Sequence, residues 1–280
     1  MCRHAAWLGA PRPLTTLIQE PEHGLLRQSY APRRQRHGRV NADGFGMGWY
    51  DAPPTTRDGR SAGFAADHPG RAPGPARVEP APASEPGRDK RVPASGSGRV
   101  EPVRYRRSIP IWADANLPAL ARTARSTCLL AAVRCATAGM PVEESATAPF
   151  TDGPWLLSHN GRVARDAVKD LADSAESACD SAWLAAAAFQ RLRAGRTIAD
   201  TLSEIVTHAG AKDTGARLNL LACDGTSVAA TVWGDTLFHR QTGDGVLVAS
   251  EPLDDLPGWQ GVPDRSLLLA APDGVRVQPL

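Results

Sequence analysis

The chain begins Met1-Cys2-Arg3-His4-Ala5-Ala6-Trp7-Leu8-Gly9, and this stretch decides how the rest is read. Residues 3–8 form a short buried-type run closed by glycine, the pattern of a strand. The residue ahead of that run carries the chemistry. An initiator methionine before so small a side chain is expected to be removed, which leaves Cys2 as the amino terminus. Thiol and α-amine would then share one residue. A thiolate is a strong nucleophile, and an α-amine titrating near pH ~7.7–8.0 is well placed to serve it as general base. Position alone does not separate this reading from an ordinary second-residue cysteine.

Outward from this stretch, strand signals fall at 44–50, 127–134, 155–159, 217–222, 227–233, 245–249 and 266–270, bounded by Gly, Pro, Asp or Asn. Helix patterns cover 14–19, 117–123, 181–193 and 198–209. Regular alternation of strand and helix is missing, which argues against a doubly wound parallel sheet. Stacked, mostly antiparallel sheets covered by helices fit better.

The chain has 280 residues, 42% of them hydrophobic, and a net charge of +2. That length supports one sizeable core. No apolar run approaches the ~20 residues a bilayer requires, so no membrane association is expected. The five cysteines are odd in number and form no CxxC pair. They read as reduced thiols of a cytoplasmic protein, and neither they nor the seven histidines show metal-ligand spacing. Residues 53–107 hold ten of the 24 prolines, with eleven Lys+Arg against six Asp+Glu. This tract carries a net +5 and leaves −3 on the other 225 residues, so the basic character belongs to the tract. With no apolar periodicity over 57–103, it reads as a disordered insertion within a single domain spanning 2–280. Aromatic stacking residues are nearly absent from it, so no nucleic-acid partner is expected.

Three further motifs bear on chemistry. Ala132-Val133-Arg134-Cys135-Ala136-Thr137-Ala138-Gly139 places an arginine at a strand end, suited to bidentate capture of a carboxylate or to a surface ion pair. Leu156-Leu157-Ser158-His159-Asn160-Gly161 ends in Asn-Gly, which can present a side-chain amide and a backbone N–H to one point or make a tight turn. Cys179-Asp180-Ser181 opens a helix, where Asp180 would be the N-cap, an ammonium partner, or both.

Taken in order, these motifs resemble the class II, N-terminal-nucleophile, glutamine amidotransferase family. Gln28-Ser29-Tyr30-Ala31-Pro32-Arg33-Arg34-Gln35, Asn41-Ala42-Asp43-Gly44-Phe45-Gly46, Trp233-Gly234-Asp235-Thr236 and Ala249-Ser250-Glu251-Pro252 narrow the resemblance to the branch of γ-glutamyl hercynylcysteine sulfoxide hydrolases of ergothioneine biosynthesis. The resemblance covers nearly all the chain outside 53–107. It implies an α+β, four-layer αββα sandwich of the Ntn-hydrolase type, and hydrolysis of a γ-glutamyl amide through a Cys2 thioester. It further implies Asn160 and Gly161 as the oxyanion hole, Arg134 and Asp180 as partners of the glutamyl carboxylate and ammonium, and Thr137 as a pocket wall. No cofactor or metal is implied, and the partner is a small-molecule γ-glutamyl substrate. Because that substrate carries a trimethylammonium group, Trp7, Trp49, Trp155, Trp183, Trp233 and Trp259 become candidate cation–π faces, with core packing as the ordinary alternative.

Amidosugar-forming relatives carry histidines where Ala138 and Ala148 stand here, which points to a different substrate pocket. Two other readings stay open: a free-standing glutaminase or γ-glutamyl peptidase acting on glutamine or glutathione-like peptides, and a non-enzymatic binding protein acting through the Arg-rich tract.

Overall fold

The computed structural model describes residues 2–38, 40–51 and 100–280, all within one compact unit. In chain order, the described residues form β1 (Arg3–Pro13), α1 (Thr15–Ile18), α2 (Leu25–Gln28), β2 (Phe45–Tyr50), β3 (Pro102–Arg107), α3 (Leu117–Thr123), β4 (Arg125–Val133), β5 (Phe150–Asp152) and β6 (Trp155–Arg162). There follow α4 (Asp180–Arg193), α5 (Ile198–Lys212), β7 (Arg217–Cys223), β8 (Val228–Val232), β9 (Phe238–Thr242), β10 (Gly245–Ala249), β11 (Gln260–Gly261), β12 (Ser266–Ala271) and β13 (Gly274–Pro279).

The strands make two sheets, ordered β11-β9-β10-β1-β4-β2-β3 and β13-β12-β8-β7-β6-β5. Every pairing is antiparallel. Because side chains alternate between faces, each sheet feeds two apolar layers. On β1, Ala5 and Trp7 pack outward with Leu17, Leu25 and Leu117 of α1, α2 and α3, while Ala6 and Leu8 face the other sheet. On β7, Leu218 and Leu220 pack against Leu184 of α4 and Leu202 of α5, while Leu221 faces inward. The result is helices, sheet, sheet, helices: the expected αββα sandwich.

The two sheets meet closely. A Cβ on Gly48 of β2 would lie 2.5 Å from Leu156 Cδ1 of β6, so only glycine lets that leucine seat against the opposite sheet. The buried Tyr50 hydroxyl also crosses the gap, donating to the carbonyls of Pro154 (2.8 Å) and Cys223 (2.9 Å).

The expected insertion ends earlier than its composition indicates. Pro102–Arg107 is strand β3, paired residue for residue with β2, whereas 53–99 lies outside the described residues. Its arginines conceal it: β3 is an edge strand, where charge is common, and Arg104 and Arg106 both meet Glu176, at 3.6 and 3.1 Å. Other differences are smaller. Asp180 is not the N-cap of α4; Cys179 holds that place, and Asp180 is the first helical residue. β6 does not stop at His159 but runs on through Arg162, so Asn160-Gly161 lies within the ladder and not in a turn.

Leu156 is fully buried between the sheets. Leu156→Ala is expected to lower the unfolding free energy by about 2–5 kcal/mol, measured by urea denaturation. A loss below about 1 kcal/mol would contradict close packing at that layer.

Candidate active site

At one end of the sandwich the inter-sheet layer changes from apolar to polar, and strand parity dictates which residues arrive there. His4 shares a face with Ala6 and Leu8, Ser158 and Asn160 share one with Leu156, and Ser250 continues the face of Val246 and Val248. Arg134 follows β4 on the face of Leu130 and Cys128. Cys2, one residue ahead of β1, is half-buried at this end.

Hydrogen bonds join the two sheets here. The His4 N–H donates to Ser250 Oγ at 3.0 Å, and the Ser250 N–H donates back to the His4 carbonyl at 2.9 Å. Asn160 Nδ2 reaches the same Ser250 Oγ at 3.4 Å, and His4 Nδ1 lies 3.2 Å from Ser158 Oγ. Ser250 thus ties the start of β1 to β6.

The Cys2 thiol is pushed above its ordinary pKa by burial, against the pull of the amino-terminal charge, the Cys135 backbone N–H and the Arg134 guanidinium. A protonated thiol at neutral pH needs a base beside it. The Arg134 side chain is buried, and donates to the carbonyls of Asp43 (3.3 Å) and Pro141 (2.8 Å). Asp180 accepts from the N–H groups of Val163 (3.0 Å) and Ser181 (2.8 Å), which pins the start of α4 to the chain just past β6. Ser181 Oγ also lies 2.9 Å from His159 Nδ1 on β6.

Gly161 serves through its backbone. Leu218 and Leu220 turn their N–H groups toward β8, to Trp233 O and Thr231 Oγ1. By antiparallel alternation Asn219 and Asn160 bond across the β6–β7 pair, and Gly161 directs its N–H to the opposite edge. The ladder of β5 ends at Leu157 and does not reach that edge. A Cβ here would collide with the Arg217 carbonyl oxygen. The Asn160 amide and the Gly161 N–H are therefore both available beside the polar end.

Of the residues singled out from sequence, Cys2, Arg134, Asn160 and Gly161 converge on this end, with Asp180 one hydrogen bond beyond β6. Thr137 is exposed in the loop after β4, its carbonyl accepting from Met140 N–H, and no recorded contact brings it to Cys2. Sequence reading missed His4, Ser158 and Ser250 as site residues. It also missed Arg3, which is fully buried, with its guanidinium nitrogens unpartnered among the described residues. Burial lowers the Arg3 pKa, against the opposing pull of Asp235 and Glu251.

No family model matches the chain. It is 44% identical over its full length to a γ-glutamyl-hercynylcysteine sulfoxide hydrolase of Mycolicibacterium smegmatis, covering all of that protein. It is 42% identical to one of Mycobacterium tuberculosis, covering 97% of that relative. The chain belongs to this hydrolase family. Among solved structures, a class II glutamine amidotransferase domain protein from Silicibacter pomeroyi shares the fold with a TM-score of 0.61 at 20% identity, covering 99% of both chains. The phosphoribosylpyrophosphate amidotransferase of B. subtilis gives 0.62 at 14% identity, covering all of this chain and 49% of that one. No helix among the described residues is long and apolar enough to cross a membrane.

His4 tests how dry the site is. Its pKa is lowered from 6.5 to about 3 by burial, with further lowering from His159 and Arg3. Between those values the unfolded chain binds the extra proton. Stability is therefore full above pH 6.5 and falls as pH drops toward 3, by up to about 1.4 kcal/mol per unit. Urea unfolding from pH 6.5 to 4 should show a shallower pH slope for His4→Gln than for the wild type. Equal slopes would mean that His4 protonates freely in the fold.

Proposed function

We propose that the chain hydrolyses the γ-glutamyl amide bond of γ-glutamyl hercynylcysteine sulfoxide, giving glutamate and hercynylcysteine sulfoxide. The observation that carries this reading is the position of Cys2 at the open end of β1, with Arg134 and the Cys135 N–H beside its thiol and the Asn160-Gly161 donors tied in through Ser250.

In this reading Met1 is removed and the freed α-amine takes the thiol proton. Cys2 Sγ attacks the γ-carbonyl carbon, and the oxygen, now negative, is held by Asn160 Nδ2 and the Gly161 N–H. The tetrahedral intermediate collapses as the ammonium returns its proton to the leaving nitrogen, and a γ-glutamyl thioester remains. Water, deprotonated by the same amine, attacks the thioester carbonyl; glutamate leaves and the thiol is restored. Arg134 pairs with the glutamyl α-carboxylate and Asp180 with its α-ammonium, while Thr137 lines the glutamyl pocket. The family name of the relatives and the alanines at 138 and 148 both support a substrate other than free glutamine.

Glutamate release should be faster from γ-glutamyl hercynylcysteine sulfoxide than from glutamine or glutathione, and Cys2→Ala should lower it by at least about 1,000-fold. Equal or better turnover of glutamine or glutathione would overturn the substrate. Intact mass retaining Met1 would overturn the base.

A further inference from the structure

One segment leads from the catalytic end to a second cavity. Ser250 hydrogen-bonds His4 and Asn160, and the next residue, Glu251, is fully buried. Its carboxylate accepts the backbone N–H groups of Arg33 (3.0 Å) and Arg34 (2.6 Å), so the loop carrying both arginines is fixed one residue away from the site. That loop, Phe238 of β9 and the chain from Pro252 to Trp259 line an open cavity of about 530 Å³, within the range of small-ligand sites.

The charges around the cavity cancel in pairs, with one exception. Arg33 meets Asp255 at 2.6 Å, and Arg240 meets Asp254 at 2.5 Å. The Arg34 guanidinium pairs with no carboxylate among the described residues, Glu251 taking only its backbone N–H, and lies 5.6 Å from the centre of the Phe238 ring. The aromatic surfaces do not invite a second cation. Arg240 lies 5.0 Å from the centre of the Trp259 ring, and Trp7, Trp183 and Trp233 likewise carry an arginine, at 4.0, 5.3 and 3.5 Å. Trp49 and Trp155 are buried in the core layers. Of the six tryptophans named from the sequence, four thus carry an arginine and two are core residues, and the guanidinium at this cavity without a carboxylate partner is that of Arg34.

We propose that this cavity is the leaving-group subsite: the Arg34 fork binds a carboxylate of the released amine half, and Phe238 with Pro252 offers apolar contact to its imidazole ring. This rests on the hydrolysis proposed above, and Arg34 acts on specificity, not on the chemical step. Ammonia, the leaving group of glutamine, has no carboxylate for Arg34 to hold, so the subsite favours the larger substrate.

The test is binding of hercynylcysteine sulfoxide itself by calorimetry, alongside steady-state kinetics on the γ-glutamyl substrate. Arg34→Ala should weaken product binding about tenfold, and raise KM about tenfold with kcat within about twofold. Arg34→Lys, which keeps the charge, should recover part of the loss; a merely structural role would not be rescued this way. If the wild type cleaves the substrate and Arg34→Ala binds and cleaves as the wild type does, the subsite is overturned and the hydrolysis stands. If the wild type binds the product through Arg34 but cleaves no sulfoxide substrate, the hydrolysis falls and overturns the leaving-group role with it, while Arg34 is confirmed as a carboxylate-binding residue. Absence of product binding by the wild type overturns the subsite.

Discussion

β1 is hydrogen-bonded on both edges, to β10 and β4, and buried on both faces, and the positions of all the site groups follow from that. A strand held on four sides has no freedom to slide, because a one-residue shift would exchange its two faces. Ala5 and Trp7 would then leave the helices and His4 would leave the sheet interface. The first residue ahead of such a strand is as well placed as the strand itself. The fold therefore fixes Cys2, the proposed nucleophile, close to a chain end, where a side chain is ordinarily poorly held.

The cost of this arrangement is concentrated at the same end. Arg3, His4, Asn160 and Asp235 are all buried, and each keeps a polar atom without a partner among the described residues. Across the middle of the inter-sheet layer the packing is apolar instead, with Ala6, Leu130, Leu156 and Leu221 in contact. Buried unpaired groups are costly, and these four accompany Cys2 at its end of the sandwich. Desolvation there raises the Cys2 thiol pKa and lowers that of His4.

Much of this was legible in the sequence because it is local. The core strands announce themselves by alternation or by short apolar runs between turn residues, and Arg134 follows directly on β4 while Asn160-Gly161 lies in the last rungs of the β6 ladder. Features that depend on distant pairing were not legible. Ser250 matters because β10 lies beside β1, which brings it to His4 from 246 positions away. Ser158 matters because β6 crosses to the other sheet, and neither serine has a local signature. β3 was hidden because an Arg-rich edge strand resembles the Pro- and Arg-rich tract before it. Asp180 was displaced from the cap by a single residue, within the usual uncertainty of helix ends. Arg34 has no local signature, since only the cavity and the pairing of its neighbours distinguish it.

The central claim is that Cys2, freed of Met1, carries the γ-glutamyl group during turnover. Acid quenching of the enzyme while it turns over γ-glutamyl hercynylcysteine sulfoxide, followed by peptide mass spectrometry, tests it directly. The account predicts an amino-terminal peptide that begins at Cys2 and gains the mass of one glutamyl residue, lost again when the substrate is exhausted. A peptide that retains Met1, or a glutamyl group found on any other residue, would contradict it.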